Sequence, residues 1–174
     1  MADLVRDLVR AENAQLLSGS GTGTNLTGVL TTTGLLTRAR GTDSSLDAIL
    51  KGMTQLRTVG ALEPTDVLIH PTNWETIRLS KETSGAYLLS DPLAPGQPTL
   101  AGANVRLTTD IPTGTALIVN AAELARVYGR TPIQVGWGTV DDQFRRNVIS
   151  VIAEERLAFG VRRPSAGVSV TALN

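Results

Sequence analysis

The chain has 174 residues, enough for one sizeable hydrophobic core or for one and a half small domains. It contains no cysteine, which excludes a disulfide framework, thiol catalysis and any cysteine-ligated metal, and fits a reducing compartment. Sixteen basic residues balance sixteen acidic ones, so the overall field gives no drive toward tight binding of nucleic acid or anionic membrane.

The N-terminus lacks the basic start and apolar core of a signal peptide, and no apolar run approaches the ~18 residues of a membrane span, so a soluble protein is expected. Aromatic residues are few (Trp74, Trp137, Tyr87, Tyr128, Phe144 and Phe159). Base-stacking platforms are therefore not expected, and the core must be built from Leu, Val, Ile and Ala.

In chain order, ADLVRDLVRAENAQLL places Leu4, Val5, Leu8, Val9 and Leu16 at helical spacing. The glycine run of SGSGTGTN follows this helix, whereas a dinucleotide fingerprint needs its glycines after a strand and before a helix. A P-loop is excluded too, because the lysines, Lys51 and Lys81, lie far from it. Gly19, Gly21 and Gly23 are read as a loop after a helix C-terminus. The Thr/Gly-rich segment after it, through residue 44, is read as short extended pieces or an ordered loop. From Ser44, a capping serine with Asp47 three places on precedes a helix whose inner face is Leu46, Ile49, Leu50, Met53 and Leu56.

Asp66 to His70 reads as a short buried strand, and Pro71 opens a helix through Trp74, Ile77 and Leu79. Ser90 to Gly102 carries three prolines and two glycines and is read as a long irregular excursion. NVRLTT and ALIVN are short strands, AAELARVY is a helical turn or a strand, and PIQVGWG is a strand interrupted by glycine. In the C-terminal segment, Ile149, Val151, Ala153, Leu157, Phe159 and Val161 alternate with polar or small residues, and Glu155 breaks the pattern. The expected strand there is about sixteen residues, roughly three times the usual length, and should project beyond one compact domain.

Catalytic chemistry finds little support. The single histidine, His70, has Asp66 four residues earlier across a strand, and no nucleophile or metal motif surrounds it. Asp141 and Asp142 shape a turn, and no acidic cluster at cation-loop spacing accompanies them. The doublets Arg145–Arg146 and Arg162–Arg163 bracket the long strand and can face carboxylates or phosphates of a neighbour, although most such pairs are simply solvated. Glu154, Glu155 and Arg156 need water or a partner chain.

Four ordered segments carry a resemblance: ENAQLLSGSGTGTNLTGVL, VLIHPTNWETIRLSKETSGAYLL, TLAGANVRLTTDIPTGTALIVN and DDQFRRNVISVIAEERLAFGVRRPSAGVSVTAL. In that order the chain resembles the tailed-phage major capsid proteins of the Hong Kong 97 type, a fold shared with bacterial encapsulin shells. The resemblance implies an α+β fold: the spine-helix end and glycine hinge over 1–24, an axial domain over 25–129, and long strands returning to the peripheral domain over 130–174. It departs from the family at His70, where Asn usually precedes Pro, and in having only about seventeen residues before the glycine loop. The chain thus looks like the C-terminal part of a subunit, be it a truncated chain, a decayed prophage gene or one piece of a split protein. In some relatives a lysine of the extended loop bonds covalently to an asparagine near this chain's Asn147; with that loop absent, no such bond is expected.

The implied function is that of a structural shell subunit of a bacteriophage capsid, forming pentamers and hexamers with copies of itself. Candidate contact residues are Ser90, Asp91, Pro92, Leu93, Pro95 and Gly96, near the five- or six-fold axis, with Arg145, Arg146, Glu154, Arg156, Arg162 and Arg163. No catalytic residue, metal or cofactor is expected. Scaffold and portal proteins are further candidate partners, packaged DNA is touched only by weak non-specific contact, and no membrane is involved. The location implied is the virion, and the host cytoplasm during assembly. An encapsulin-like compartment is the alternative. A small enzyme of unknown class is the competitor from outside the shell proteins, and it would show a concave pocket with converging polar groups where a shell subunit shows a flat wedge. Three expectations follow: no pocket joins His70, Asp66 and a nucleophile; Ser90 to Gly102 is mobile in an isolated subunit; and the chain alone forms monomers or small rings, not closed shells.

Overall fold

The computed structural model describes residues 2–81 and 98–173. A helix α1 (Ala2–Ser18) leads through the glycine loop to strand β1 (Leu36–Ala39), helix α2 (Ser45–Gln55), strand β2 (Asp66–Ile69) and helix α3 (Pro71–Arg78). After these come β3 (Thr99–Leu100), β4 (Ala103–Leu107), β5 (Thr115–Val119), a short helix α4 (Ala121–Leu124), two long strands β6 (Ala125–Gly138) and β7 (Ser150–Val161), and β8 (Gly167–Thr171). Six strands form one mixed sheet in the order β1-β8-β5-β2-β4-β3, and β6 and β7 form a separate two-stranded ribbon.

Strand β5, TALIV, explains why the sheet must be covered on both sides. Its side chains alternate, so Ala116 and Ile118 face α2 and α3 while Leu117 and Val119 face the opposite side. On the first face Ile49, Met53 and Leu56 of α2 meet Val67 and Ile69 of β2 and Val168 and Val170 of β8. On the second, Leu117 and Val119 pack with Val29, Ile111, Leu124 and Ala166, joined by the ribbon's base at Ala125, Phe159 and Val161.

Helix α2 starts where a cap is available. The Ser44 hydroxyl oxygen accepts from the Asp47 N–H at 3.1 Å and donates to the Asp47 carboxylate at 2.7 Å. Its buried stripe is Ala48, Ile49, Gly52, Met53 and Leu56, while Leu50, expected on that stripe, is 37% exposed. Gly52 sets how closely the helix lies on the sheet, since a Cβ there would sit 2.7 Å from Ile118 Cδ1 and 2.9 Å from Val170 Cγ2. Just before α2, Asp43 is held by Lys51 at 2.5 Å and Arg38 at 3.5 Å. The Lys51 hydrogen bond keeps its carboxyl below the usual carboxylate range.

The N-terminus of α3 is capped by His70, whose Nδ1 accepts from the Thr72 N–H at 3.3 Å, with Pro71 in the first turn. The family's usual Asn would accept the same bond. Replacing His70 by Ala is expected to lower stability by about 1 kcal/mol and by Asn to preserve it, read from urea unfolding midpoints.

Several expectations change. Residues 167–171, grouped by sequence with the long strands, lie in the six-stranded sheet between β1 and β5, so 130–174 does not run as one unit. The C-terminal strand is twelve residues, not sixteen, because Pro164 opens a helical turn before β8 begins. Glu155 does not break the alternation of β7; it shares the half-buried face with Ala153, Leu157, Phe159 and Val161. The ambiguous AAELARVY is both readings in succession, α4 and then the start of β6. The end of the proline-rich excursion is a tight hairpin, with Thr99–Leu100 pairing back onto Ala103–Asn104 across Ala101 and Gly102, both at positive φ.

Candidate subunit interface

Strands β6 and β7 pair antiparallel from Ala125 opposite Val161 to Gly138 opposite Ser150. The register shifts twice between Gly129 and Gln134, around Pro132, which lacks a ladder N–H. At about 3.3 Å per residue, fourteen residues of β6 run about 45 Å, far beyond the strands of the sheet. A two-stranded ribbon has two unpaired edges and is marginal alone, so its stability comes from what lies on its faces. At the base its inner face joins the second core, and farther out α1 packs against β7.

Among the described residues nothing covers the far third in this way. Phe144 is 83% exposed, Trp137 68%, Ile149 67% and Ile152 63%, with Val140, Val148 and Val151 also exposed. An open groove of about 400 Å³ runs along this third, lined by Trp137, Val140 and Ile152 with Gln134, Ser150 and Glu154 at its polar margin. The tip is internally ordered all the same. The Gln143 side chain accepts from the Val140 N–H at 2.9 Å and reaches the Ser150 hydroxyl at 2.8 Å. Asp141 and Asn147 take left-handed conformations at φ 53° and 52°, which their short polar side chains tolerate. A contiguous apolar surface on an ordered protrusion is the mark of an interaction site.

The charged candidates distribute around this ribbon. Arg145 and Arg146 are exposed at the tip, where Arg146 lies 3.9 Å from Asp142. Glu154 and Arg156 point to solvent from the outer face of β7. Arg162 and Arg163 are both exposed beyond the end of β7, and Arg163 also donates to the Gly60 carbonyl at 2.7 Å, tying the turn after α2 to the ribbon's base. The candidates Ser90, Asp91, Pro92, Leu93, Pro95 and Gly96 lie outside the described residues, as does the segment whose mobility is expected. Sequence reading passed over the apolar tip: Trp137, Ile149 and Ile152 flank the turn formers DDQFRRN, with Phe144 inside them, and that pairing was the available signal.

His70 and Asp66 are not brought together. They stand at opposite ends of β2, about 13 Å apart along the strand at ~3.3 Å per residue. Asp66 is occupied by Arg106 at 3.1 Å and the Thr65 hydroxyl at 2.8 Å. Among the described residues no three His, Cys, Asp or Glu side chains converge on a metal position. No helix there is long and apolar enough to cross a membrane.

The sequence profile of the phage capsid family matches residues 1–171. The chain belongs to the phage capsid family. It is 30% identical over 172 residues to the major capsid protein of Enterobacteria phage HK97, which covers 97% of this chain and 44% of that protein. It therefore spans less than half the length of that relative. Among solved structures it is similar to the capsid of an empty GTA particle, with a TM-score of 0.77 at 20% identity over 99% of this chain and 65% of the other. More distantly it is similar to an encapsulin of Synechococcus elongatus, with a TM-score of 0.59 at 12% identity over 98% of this chain and 63% of the other. The fold is that of the Hong Kong 97 type capsid proteins, and it is α+β.

Proposed function

We propose that this chain is a structural, non-enzymatic subunit of a bacteriophage capsid shell, and that the distal β6–β7 ribbon is one of the surfaces by which it meets other copies of itself. The observation that carries this reading is the ordered, uncovered apolar tip around Phe144, Trp137, Ile149 and Ile152, on a chain matched by the phage capsid family from end to end. Head-to-tail rings join unlike patches, so the tip and its Arg145–Arg146 doublet meet a different surface on the next copy. Glu154 and Arg156 lie on the outer face toward the tip, while Arg162 and Arg163, at the ribbon's base, are candidates for a separate contact. The sheet belongs to an axial domain, with residues 90–96 near a five- or six-fold axis; α1 and the ribbon form the peripheral part, joined through the glycine corner. Scaffold and portal proteins are further partners, contact with packaged DNA is weak and non-specific, and the chain resides in the virion after assembly in the host cytoplasm. The encapsulin reading rests on fold likeness alone, and the identity to a phage protein favours the phage reading.

Sedimentation velocity over a range of concentrations tests this. The wild-type chain is expected to form concentration-dependent oligomers, and the pair Trp137→Ser and Phe144→Ser to weaken them about 30-fold or more, the effect of losing one central apolar anchor of ~2 kcal/mol. A wild-type chain that stays monomeric throughout, or a double variant that associates as tightly as wild type, would overturn the assignment of the tip.

A further inference from the structure

Helix α1 buries no residue fully, yet one of its faces is half-buried and lies on β7. That face follows the stripe Leu4, Leu8, Glu12 and Leu16, four residues apart, so an acid stands where the amphipathic pattern calls for an apolar side chain. Strand β7 does the same. Its inner face reads Ala153, Glu155, Leu157, Phe159 and Val161, again with one acid in an apolar row. Both exceptions thus lie half-buried where helix and strand pack together, near enough for the Glu155 charge to act on Glu12.

Among the described residues no cation pairs with either carboxylate. The neighbours of Glu12 one turn away on α1 are Leu8 and Leu16, and the Gln15 side chain is engaged with the Leu26 N–H at 3.2 Å. From β6 the half-buried residues are Ile133 and Val135, and the turn at Val29–Thr31 brings Val and Thr. Arg156 and Glu154 stand on the opposite face of β7. Neither Glu12 nor Glu155 belongs to any ion pair found among the described residues. Below the last turn of α1, beside Leu16 and Leu17, lies an open apolar pocket of about 190 Å³ walled by Val29, Leu117, Leu124 and Phe159. The helix is therefore seated loosely where it joins the core, and it carries a like-charge contact where it meets the ribbon.

We propose that Glu12, set against Glu155, forms a proton-dependent latch between α1 and the ribbon: with the Glu12 carboxyl protonated the helix lies down on β7, and with it ionised the helix is pushed off. Burial first, and the Glu155 charge second, raise the Glu12 carboxyl above the ordinary glutamate range. The docked state thus holds its proton to a higher pH than the undocked one. Docking is strongest below the ordinary glutamate value and weakens as pH rises through the raised one. Asp43 acts with the opposite sign, since its lowered carboxyl loses its stabilising bonds as the pH falls. Global stability mixes the two effects, so the test must be local.

Amide hydrogen exchange of α1, corrected for intrinsic rates and followed from about pH 4.5 to pH 7.5, provides that readout. Protection of the α1 amides is expected to fall across the range, by up to about tenfold for each unit by which docking raises the carboxyl's pKa. Glu12→Gln should flatten the profile and keep α1 protected at neutral pH, Glu155→Gln should make it shallower because burial of Glu12 remains, and Glu154→Gln, on the other face of the same strand, should leave the slope intact. Circular dichroism of each variant checks that the fold is kept, and glutamine is close enough in shape that it should be. The latch is overturned if wild-type protection does not change with pH, if the slope survives in both Gln variants, or if it follows protein concentration, which would assign it to association instead.

Discussion

Replacing Asn73 by Ala should lower the stability of the chain by about 3 kcal/mol, because a buried carbonyl and a half-buried N–H lose their partner in one step. Asn73 sits on α3 and is 8% exposed, one of the few polar side chains among the buried residues. Its amide Nδ2 donates to the Leu173 carbonyl at 2.6 Å and its Oδ1 accepts from the Gly114 N–H at 2.8 Å. One side chain thus ties α3 to the turn before β5 and to the residues just past β8. Leu173 is itself fully buried in the main core, so releasing its carbonyl also loosens an apolar anchor. Asn73→Asp separates the two bonds: the carboxylate still accepts from Gly114 but turns an oxygen toward the Leu173 carbonyl. It should be at least as destabilising as Ala at neutral pH and partly recover in acid, where a protonated carboxyl donates again. Denaturant unfolding of the three proteins measures this, and an Ala variant within about 0.5 kcal/mol of wild type would show that water replaces the amide without loss.

The second large effect is expected in the glycine loop, and it divides glycines that look equivalent in sequence. The loop folds back on itself: the Gly21 N–H donates to the Leu26 carbonyl at 3.0 Å and the Gly28 N–H to the Gly19 carbonyl at 2.9 Å. A Cβ on Gly28 would lie 2.5 Å from the Gly19 nitrogen and 2.7 Å from the Leu17 carbonyl, and one on Gly19 would strike the carbonyls of Leu26 and Gln15. These obstacles are backbone and cannot rotate away. Gly19→Ala or Gly28→Ala should therefore cost about 3 kcal/mol or more and open the corner that seats α1. At Gly23 the space is empty and only the φ of 62° favours glycine, so Gly23→Asn should cost less than about 1 kcal/mol. Equal losses at Gly28 and Gly23, measured by thermal unfolding, would contradict this account. The corner is thus a hydrogen-bonded bend in which close backbone approach, more than conformational freedom, demands glycine.

How much of this was legible beforehand varied with the physics of each element. Helices α2 and α3 and strands β2, β4 and β5 announce themselves because cap, period and burial agree. Leu50 misled because a helix face of apolar residues can be wider than the sheet it covers. The ribbon resisted because it carries apolar residues on its exposed side, so Ile149, Val151 and Ile152 blur the alternation that marks a half-buried strand. Glu155 looked like an interruption because a charge in phase with an apolar row is read as a change of phase. The position of β8 was hidden because strand order depends on long-range pairing, which no local pattern reports. Of the candidate interface, the arginine doublets were visible as charge, while the apolar tip needed the structure to show that nothing among the described residues covers it.

The central place of β8 has a bearing on the order of events during synthesis. Residues 167–171 pair with β1 on one side and β5 on the other, and Val168 and Val170 complete the core under α2. Until they leave the ribosome, β1 has no neighbour in the sheet and the face of α2 lies open. At translation rates of roughly 5–20 residues per second, the nascent chain spends on the order of ten seconds between making β1 and making its partner. During that interval the early elements can collapse but cannot close. The proposed contact surface is therefore carried on a chain whose sheet becomes complete only after the ribbon itself has been made, so the ribbon is finished before the core that anchors it.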